Sequence, residues 1–271
     1  MARQDARSII TTDDQKQKLA ETYGEVIEAI QKGAVSEQIK NKNYSGDPAT
    51  GSVEISRFVN ATVDDQGTAR SGGKGKALKD SKVHVNVDTD KEIVEEVSKK
   101  DVRLYGVDGM AEKRKVNHIK RMIAYLDNEF FKKMEAEGSA VVPTGATLAE
   151  KLEELIQSVE TTKNDFVDGV DRDMLVLTLT PKLYGELANY IDSVPNSITG
   201  LKEDMFHKVR VYSNHRQTKS AICSIDGAVA QPVVTDEYDA EKIPLSNDIA
   251  IELFFSKGTK AVMPDLIKFI A

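Results

Sequence analysis

"SVEISRFVNATVDDQGTARSGGKGKALKDSKVHVNV", Ser52 to Val87, is the stretch on which the fold turns. Its centre, "DDQGTARSGGKGKALKD" from Asp64 to Asp80, sets four glycines and four basic residues around one large apolar side chain, Leu78. Such a composition serves either a loop that cradles a phosphate or the tip of a ribbon that touches another protein. A Walker-type loop needs G-x-x-x-x-G-K-[ST] between a strand and a helix. With Gly73-Lys74 in register, Thr68 stands where the first glycine belongs and Gly75 where the hydroxyl belongs. The dinucleotide pattern G-x-G-x-x-G fails too, because Gly73 and Gly75 are followed by Leu78. The flanks decide the matter. Val83, Val85 and Val87 alternate with Lys82, His84 and Asn86, which is the period of a strand. A strand therefore follows the glycines, and no helix N-terminus is available to receive an anion. "SVEISRFVNATV", Ser52 to Val63, reads as the partner strand. Together they predict a long β-hairpin with a glycine-rich tip, each arm running about 40 Å at roughly 3.3 Å per residue.

A two-stranded ribbon alone in water is marginal, and its open edges invite pairing. A ribbon of this length is expected to lie on something. Arg70, Lys74, Lys76, Lys79 and Lys82 face only Asp80 locally, in a chain that is acidic overall. These five residues are the candidate inter-subunit contact, a basic tip landing on an acidic patch of an identical neighbour. The plain alternative is a solvated tip with no partner.

The rest of the chain bounds the function. It has 271 residues, 40% hydrophobic and 30% charged, with a formal net charge of -7. That is enough apolar content for a sizeable core and the wrong sign for a dedicated nucleic-acid binder. A single cysteine, Cys223, excludes a disulfide framework within the chain and fits a reducing compartment. No apolar run approaches membrane-spanning length, so no membrane association is expected.

Outward from the ribbon, Asp13 to Ile30 reads as an amphipathic helix with Leu19, Tyr23, Val26, Ile27 and Ile30 on one face. "NKNYSGDPATG", from Asn41, reads as a linker. "TDKEIVEEVSKKDVRLYG" is open between strand and helix. Val116, Ile119, Ile123, Leu126, Phe130 and Met134 then step by threes and fours, predicting one long helix from Met110 to Glu137 that Gly138 stops. Beyond Val141 strands and helices alternate in a compact α/β unit. Thr147 with Glu150 forms a capping box, "DMLVLTL" is a buried strand, Pro181 opens a helix, and "KVRVYS" and "SAICSI" are further strands. "IAIELFF", the turn "SKGT", "KAVM" and "LIKFI" read as a closing hairpin.

No arrangement of acid, base and nucleophile emerges, so no enzyme and no cofactor are expected. His84, His118, His207 and His215 lack metal-ligand spacing and read as surface histidines. Asp168, Asp171 and Asp173 do not have EF-hand spacing. Cys223 lies in an apolar strand and reads as an inert buried thiol.

The order of these elements resembles the major capsid protein of tailed bacteriophages, the Hong Kong 97 phage fold that encapsulins share. "VHVNVDTDKEIVEEVSKKDVRLYGVDGMAEKRKVNHIKRMIAYLDNEFF" looks like the end of the extended loop, the acidic turn and the spine helix. "LTLTPKLYGELANY" with "KVRVYSN" looks like the axial subdomain, and "LSNDIAIELFFSKGTKAVMPDLI" is similar to the closing peripheral hairpin. The resemblance implies an α+β fold with an N-terminal arm over 1–50 and an extended loop over 51–88. It implies a peripheral domain over 89–139 and 236–271, with its spine helix at about 110–137, and an axial domain over 140–235. It implies self-assembly through pentamers and hexamers into an icosahedral shell around double-stranded DNA, which the shell touches without specificity. Because some relatives carry a long N-terminal scaffolding segment and only about fifty residues precede the loop here, a separate scaffolding protein is expected, with a portal. The place implied is the virion capsid, assembled in the host cytoplasm. An encapsulin-like compartment shell and a soluble α/β enzyme are the alternatives.

Overall fold

The computed structural model describes residues 25, 28–30, 33–61, 63, 65, 79–193, 205–235, 239–242 and 249–271. Alternation of apolar and polar side chains builds the ribbon's stem. Strand β1 (Ser52–Phe58) pairs antiparallel with β2 (Asp80–Asn86), from Ser52 opposite Asn86 to Phe58 opposite Asp80. Among the described residues the paired part is thus seven residues long, about 23 Å at roughly 3.3 Å per residue. That is shorter than the 40 Å arms predicted. The stem is also not free-standing. Val53, Ile55 and Val85 project from one face and are buried against Ala230 and Val262 of the same chain. The stem therefore needs no outside partner up to Val59, and the glycine-rich segment beyond lies outside the described residues.

Three features lead into the stem. Helix α1 (Val35–Ile39) buries Ile39 in the main core. The expected linker is bonded to the body: Asn41 bridges Ala230, Ser45 bridges Glu54, and a 3-10 turn follows at Pro48–Thr50. The backbone N–H of Asn41 donates to the Val229 carbonyl at 2.7 Å. Chain that satisfies its backbone groups on a neighbouring strand is held, whatever its polarity.

The ambiguous segment divides into both structures. Strand β3 (Thr89–Val97) runs to Ser98, whose side chain caps the next helix by accepting from the Asp101 N–H. Helix α2 (Lys99–Glu137) begins eleven residues before the predicted start and is broken at Gly106, where φ is 72 and ψ 168. Those angles are open essentially to glycine alone. The helix buries Met122, Leu126, Phe130, Phe131 and Met134. Val116, placed by periodicity on the buried face, is exposed instead.

The main core is a six-stranded sheet in the order β4 (Ser139–Ala140), β14 (Lys268–Ile270), β8 (Ala221–Ile225), β5 (Leu175–Leu179), β7 (Val209–Ser213), β6 (Met205–Phe206). Every residue of β5 and β8 is buried. Helix α3 (Leu148–Glu160) lays Leu152, Leu155, Ile156 and Val159 into this core, its start fixed by the Thr147–Glu150 capping box. Helix α4 (Pro181–Ser193) adds Leu187. Phe130, Phe131 and Met134 join α2 to the same core.

The second sheet centres on β12 (Ile249–Lys257). Strand β3 pairs with its whole length, while β10 (Val233–Thr235) and β11 (Asp239–Lys242) share its other edge. The predicted closing hairpin does not form. After Gly258, β13 (Lys260–Ala261) pairs with β9 (Val229–Ala230), and β14 inserts between β4 and β8. Val262, Leu266, Ile267 and Phe269 are apolar and buried, and their burial draws the terminus into the main core. Gly258 permits this parting of ways because a Cβ there would stand 2.1 Å from the Asn86 carbonyl oxygen.

Candidate assembly surfaces

The upper end of the stem is clamped to the body. The Arg57 guanidinium donates through both terminal nitrogens to the Asp265 carboxylate, each at 2.6 Å, and its Cζ lies 4.5 Å from the centre of the Phe166 ring. Asn164 donates to the same carboxylate at 2.5 Å. Burial alone would raise the Asp265 pKa; the hydrogen bonds from Arg57 and Asn164 outweigh it and hold the carboxyl below its ordinary range. Just past the strand, the Asn60 N–H donates to the Asp165 carbonyl at 2.8 Å. The ribbon thus leaves the body from a fixed root.

Of the five predicted tip residues, Arg70, Lys74 and Lys76 lie outside the described residues. Lys79 is exposed at the mouth of the stem, where its carbonyl accepts from the Val59 N–H at 2.9 Å. Lys82 is engaged within its own chain, in an ion pair of 3.2 Å with Glu54 across the ladder.

An acidic surface of matching character lies on the second sheet. The inner side of β3 packs on α2: Lys91 lies over the Tyr125 ring, and Glu95 accepts from Arg114 and bonds His118. The outer side carries Asp90, Glu92, Val94 and Glu96, all exposed. Register brings Glu252 opposite Val94 and Phe254 opposite Glu92. Val94 is 47% exposed and Phe254 36% exposed, side by side among the carboxylates. Asp90, Glu92, Glu96 and Glu252 have no ion pair among the described residues. The signal for this surface was present in "TDKEIVEEV" as alternation, but it names an outer face only once the segment is known to be a strand.

Not all four histidines lie at the surface, as their spacing had implied. His84, His207 and His215 are exposed, but His118 is only 1% exposed and lies against Glu95 at 2.8 Å. A charged helix hides a histidine where a strand bearing a carboxylate packs on it. Hydrogen bonds from Arg114 chiefly, and from His118, outweigh burial and hold the Glu95 carboxyl at about 2. Cys223 is fully buried, and burial pushes its thiol up. Asp168 pairs with Lys163 at 2.8 Å. Among the described residues no group of three or more His, Cys, Asp or Glu could hold a metal ion, and no helix is long and apolar enough to cross a membrane. An open groove of about 710 Å³ lies between the stem and the 166–171 loop, lined by Arg57, Phe58, Phe166, Asp171 and Met174 among others, with no histidine or cysteine.

No protein-family model matches the chain, and no curated protein matches it in sequence. Solved structures do. A chain of Mycobacterium phage Che8 superposes with a TM-score of 0.60 at 14% identity, over 81% of this chain and 84% of that one. A chain from the capsid structure of the cyanophage P-SCSP1u gives 0.58 at 11% identity, over 85% and 84%. The fold is that of the Hong Kong 97 phage capsid protein. A chain of the virus-like particle from Pyrococcus furiosus shares this capsid fold, with a TM-score of 0.60 at 11% identity, over 94% of this chain and 98% of that one. At such identities what is shared is the path of the backbone.

Proposed function

We propose that this chain is a major capsid protein: copies of it close into the icosahedral shell of a tailed phage, around double-stranded DNA. The observation that supports this most is coverage, since the fold shared with the cyanophage capsid chain runs over 85% of this chain and not over one subdomain. A stem rooted by Arg57 and Asp265, with its basic glycine-rich tip beyond, is the device that links copies. The tip, with Arg70, Lys74, Lys76 and Lys79, docks on the outer face of the second sheet of an identical neighbour. Charge complementarity selects that face, where Asp90, Glu92, Glu96 and Glu252 surround Val94 and Phe254. Lys82, the fifth candidate, keeps an exposed ammonium beside Glu54 at the base of that tip and belongs to the same contact.

The shell is then a sum of repeated modest contacts around closed symmetry axes, as pentamers and hexamers. The segments divide the labour as arm (1–50), extended loop (51–88), peripheral domain (89–139 and 236–271) and axial domain (140–235). The terminal strand β14 ties the last of the chain into the axial core. A separate scaffolding protein and a portal complete assembly in the host cytoplasm. The role is structural, with no catalysis and no cofactor.

Expression followed by negative-stain electron microscopy tests the reading. Megadalton particles, or rings of five and six subunits, are expected, alone or with the scaffold. Monomers of 29.9 kDa under every condition, scaffold included, would remove it. Particles that hold a protein cargo in place of DNA would move the assignment to an encapsulin-like compartment shell.

A further inference from the structure

Helix α2 has three sides over its second half, at 3.6 residues per turn. One side meets the second sheet: Arg114 and His118 reach Glu95, Tyr125 meets Phe255 edge-on at 5.8 Å, and Glu129 pairs with Lys257 at 3.1 Å. A second side meets the N-terminal segment. There Lys115 pairs with Glu25, Ile123 abuts Gly33, and Asp127 accepts from the Ser36 N–H at 3.0 Å. The third side meets solvent. It presents Lys113, Asn117, Lys120, Arg121 and Asn128, and the exposure continues at Lys132.

Between Lys113 and Lys132 this third side bears no carboxylate among the described residues, in a chain with 44 acidic and 37 basic residues; one turn further on, Glu135 comes round to the same side, where it accepts from the Thr218 and Lys219 N–H groups. Pairing separates it further from the rest of the helix. Arg114, Lys115 and Lys133, which lie off the stripe, are each matched by a carboxylate, from Glu95, Glu25 and Glu137. Lys120, Arg121 and Lys132, on it, have no ion pair among the described residues. Lys113 lies over the Tyr105 ring at 3.1 Å, which leaves its charge uncancelled. From Lys113 to Lys132 the stripe runs about 28 Å at 1.5 Å per residue.

We infer that this stripe is a track for the phosphate backbone of double-stranded DNA. The assignment of DNA as the polyanion rests on the shell reading. Cations and amides hold phosphate without reading bases, as a shell that touches its genome at every position requires. The stripe also orients the subunit: the α2 side faces the lumen. The carboxylates on the outer face of the second sheet point away from DNA and stay available to a neighbour's tip. An acidic subunit can thus meet DNA on one rigid line without adhering to it all over.

The test titrates purified wild-type subunits or rings with a fluorescein-labelled 20-base-pair duplex of mixed sequence at several salt concentrations. Four cations predict a log-log salt slope of about -3 to -4. The variant K120E/R121E/K132E should bind at least tenfold more weakly, with the slope smaller in magnitude by about 2 to 3. K120Q/R121Q/K132Q, which does not crowd the helix with carboxylates, should lie between. The tip variant K74E/K76E/K79E changes the net charge equally and should retain the wild-type slope. Equal loss in the tip and stripe variants, or no salt-dependent binding by wild type, overturns the inference. A stripe variant that binds the duplex normally yet forms no particles also overturns it, by making the stripe a protein interface. Particles from the stripe variant that hold less DNA support it. If wild type forms no particles, the shell reading falls, while the titration still decides the stripe.

Discussion

Glu95 shows how one carboxylate ties a sheet to a helix. It stands on the inner side of β3 and binds Arg114 and His118 of α2, which hold it at about 2 against an ordinary value of 4.5. Glu153 of α3 is likewise held at about 2, where burial would raise it and hydrogen bonds from Arg172, His207 and Gln157 outweigh that. A carboxyl whose folded pKa is depressed contributes stability above its unfolded pKa and loses it as pH falls through the folded one. The urea midpoint of the wild-type subunit is therefore expected to fall between about pH 5 and pH 2. Glu95→Gln should lower the midpoint at pH 7 and flatten its fall below pH 5, as read by circular dichroism. A fall of unchanged steepness in that variant would show that Glu95 does not couple to folding. The acidic "TDKEIVEEV" was legible as charge, but the partner of Glu95 lies 19 and 23 residues away on another element, beyond any local pattern.

At the scale of elements, the ribbon's root is where local pattern and tertiary contact meet. Alternation in "SKVHVNV" identified β2 correctly, because one face of the stem is buried and the other is not. Among the described residues the ladder stops short of the alternation. Pattern continues past Phe58, whereas the Asn60 N–H turns to the Asp165 carbonyl instead of a ladder partner. Arg57 fixes that departure through Asp265 and Phe166. Arg57→Ala is expected to cost about 1–3 kcal/mol, since it leaves a partly buried carboxylate short of its charged donor. Hydrogen exchange should locate the loss: the amides of Val59 and Asn60 exchange faster, while Val53 and Val85 keep their protection. Uniform acceleration along the stem would show that Arg57 supports the whole ribbon and not its exit.

For the whole molecule, the prediction concerns assembly. The variant K74E/K76E/K79E should fold like wild type, because surface changes usually shift stability by less than about 0.5 kcal/mol. It should form few or no particles, since reversed tips meet the carboxylates of the neighbour's sheet. Restoring particles with a compensating D90K/E92K/E96K sheet in the same chain would join tip to face. Abundant normal particles from the tip variant alone would show that charge does not seat the tip.

What the amino-acid order determined by itself is what neighbours along the chain can enforce. Period-2 and period-3.6 burial, the Thr147 capping box, the Pro181 start and the strand flanks that exclude a phosphate loop all act within a turn or two. From them came the hairpin, the spine helix and the alternating strands and helices of the main core, in an order that named the fold. Tertiary structure alone decided the parting of β12 from β14, the burial of His118 and the seating of the stem on Ala230 and Val262. It also decided which side of α2 is left to solvent. Each of these depends on apolar area and charges brought together from distant parts of the chain, and burial energy follows the area removed from water, not the spacing of residues in sequence.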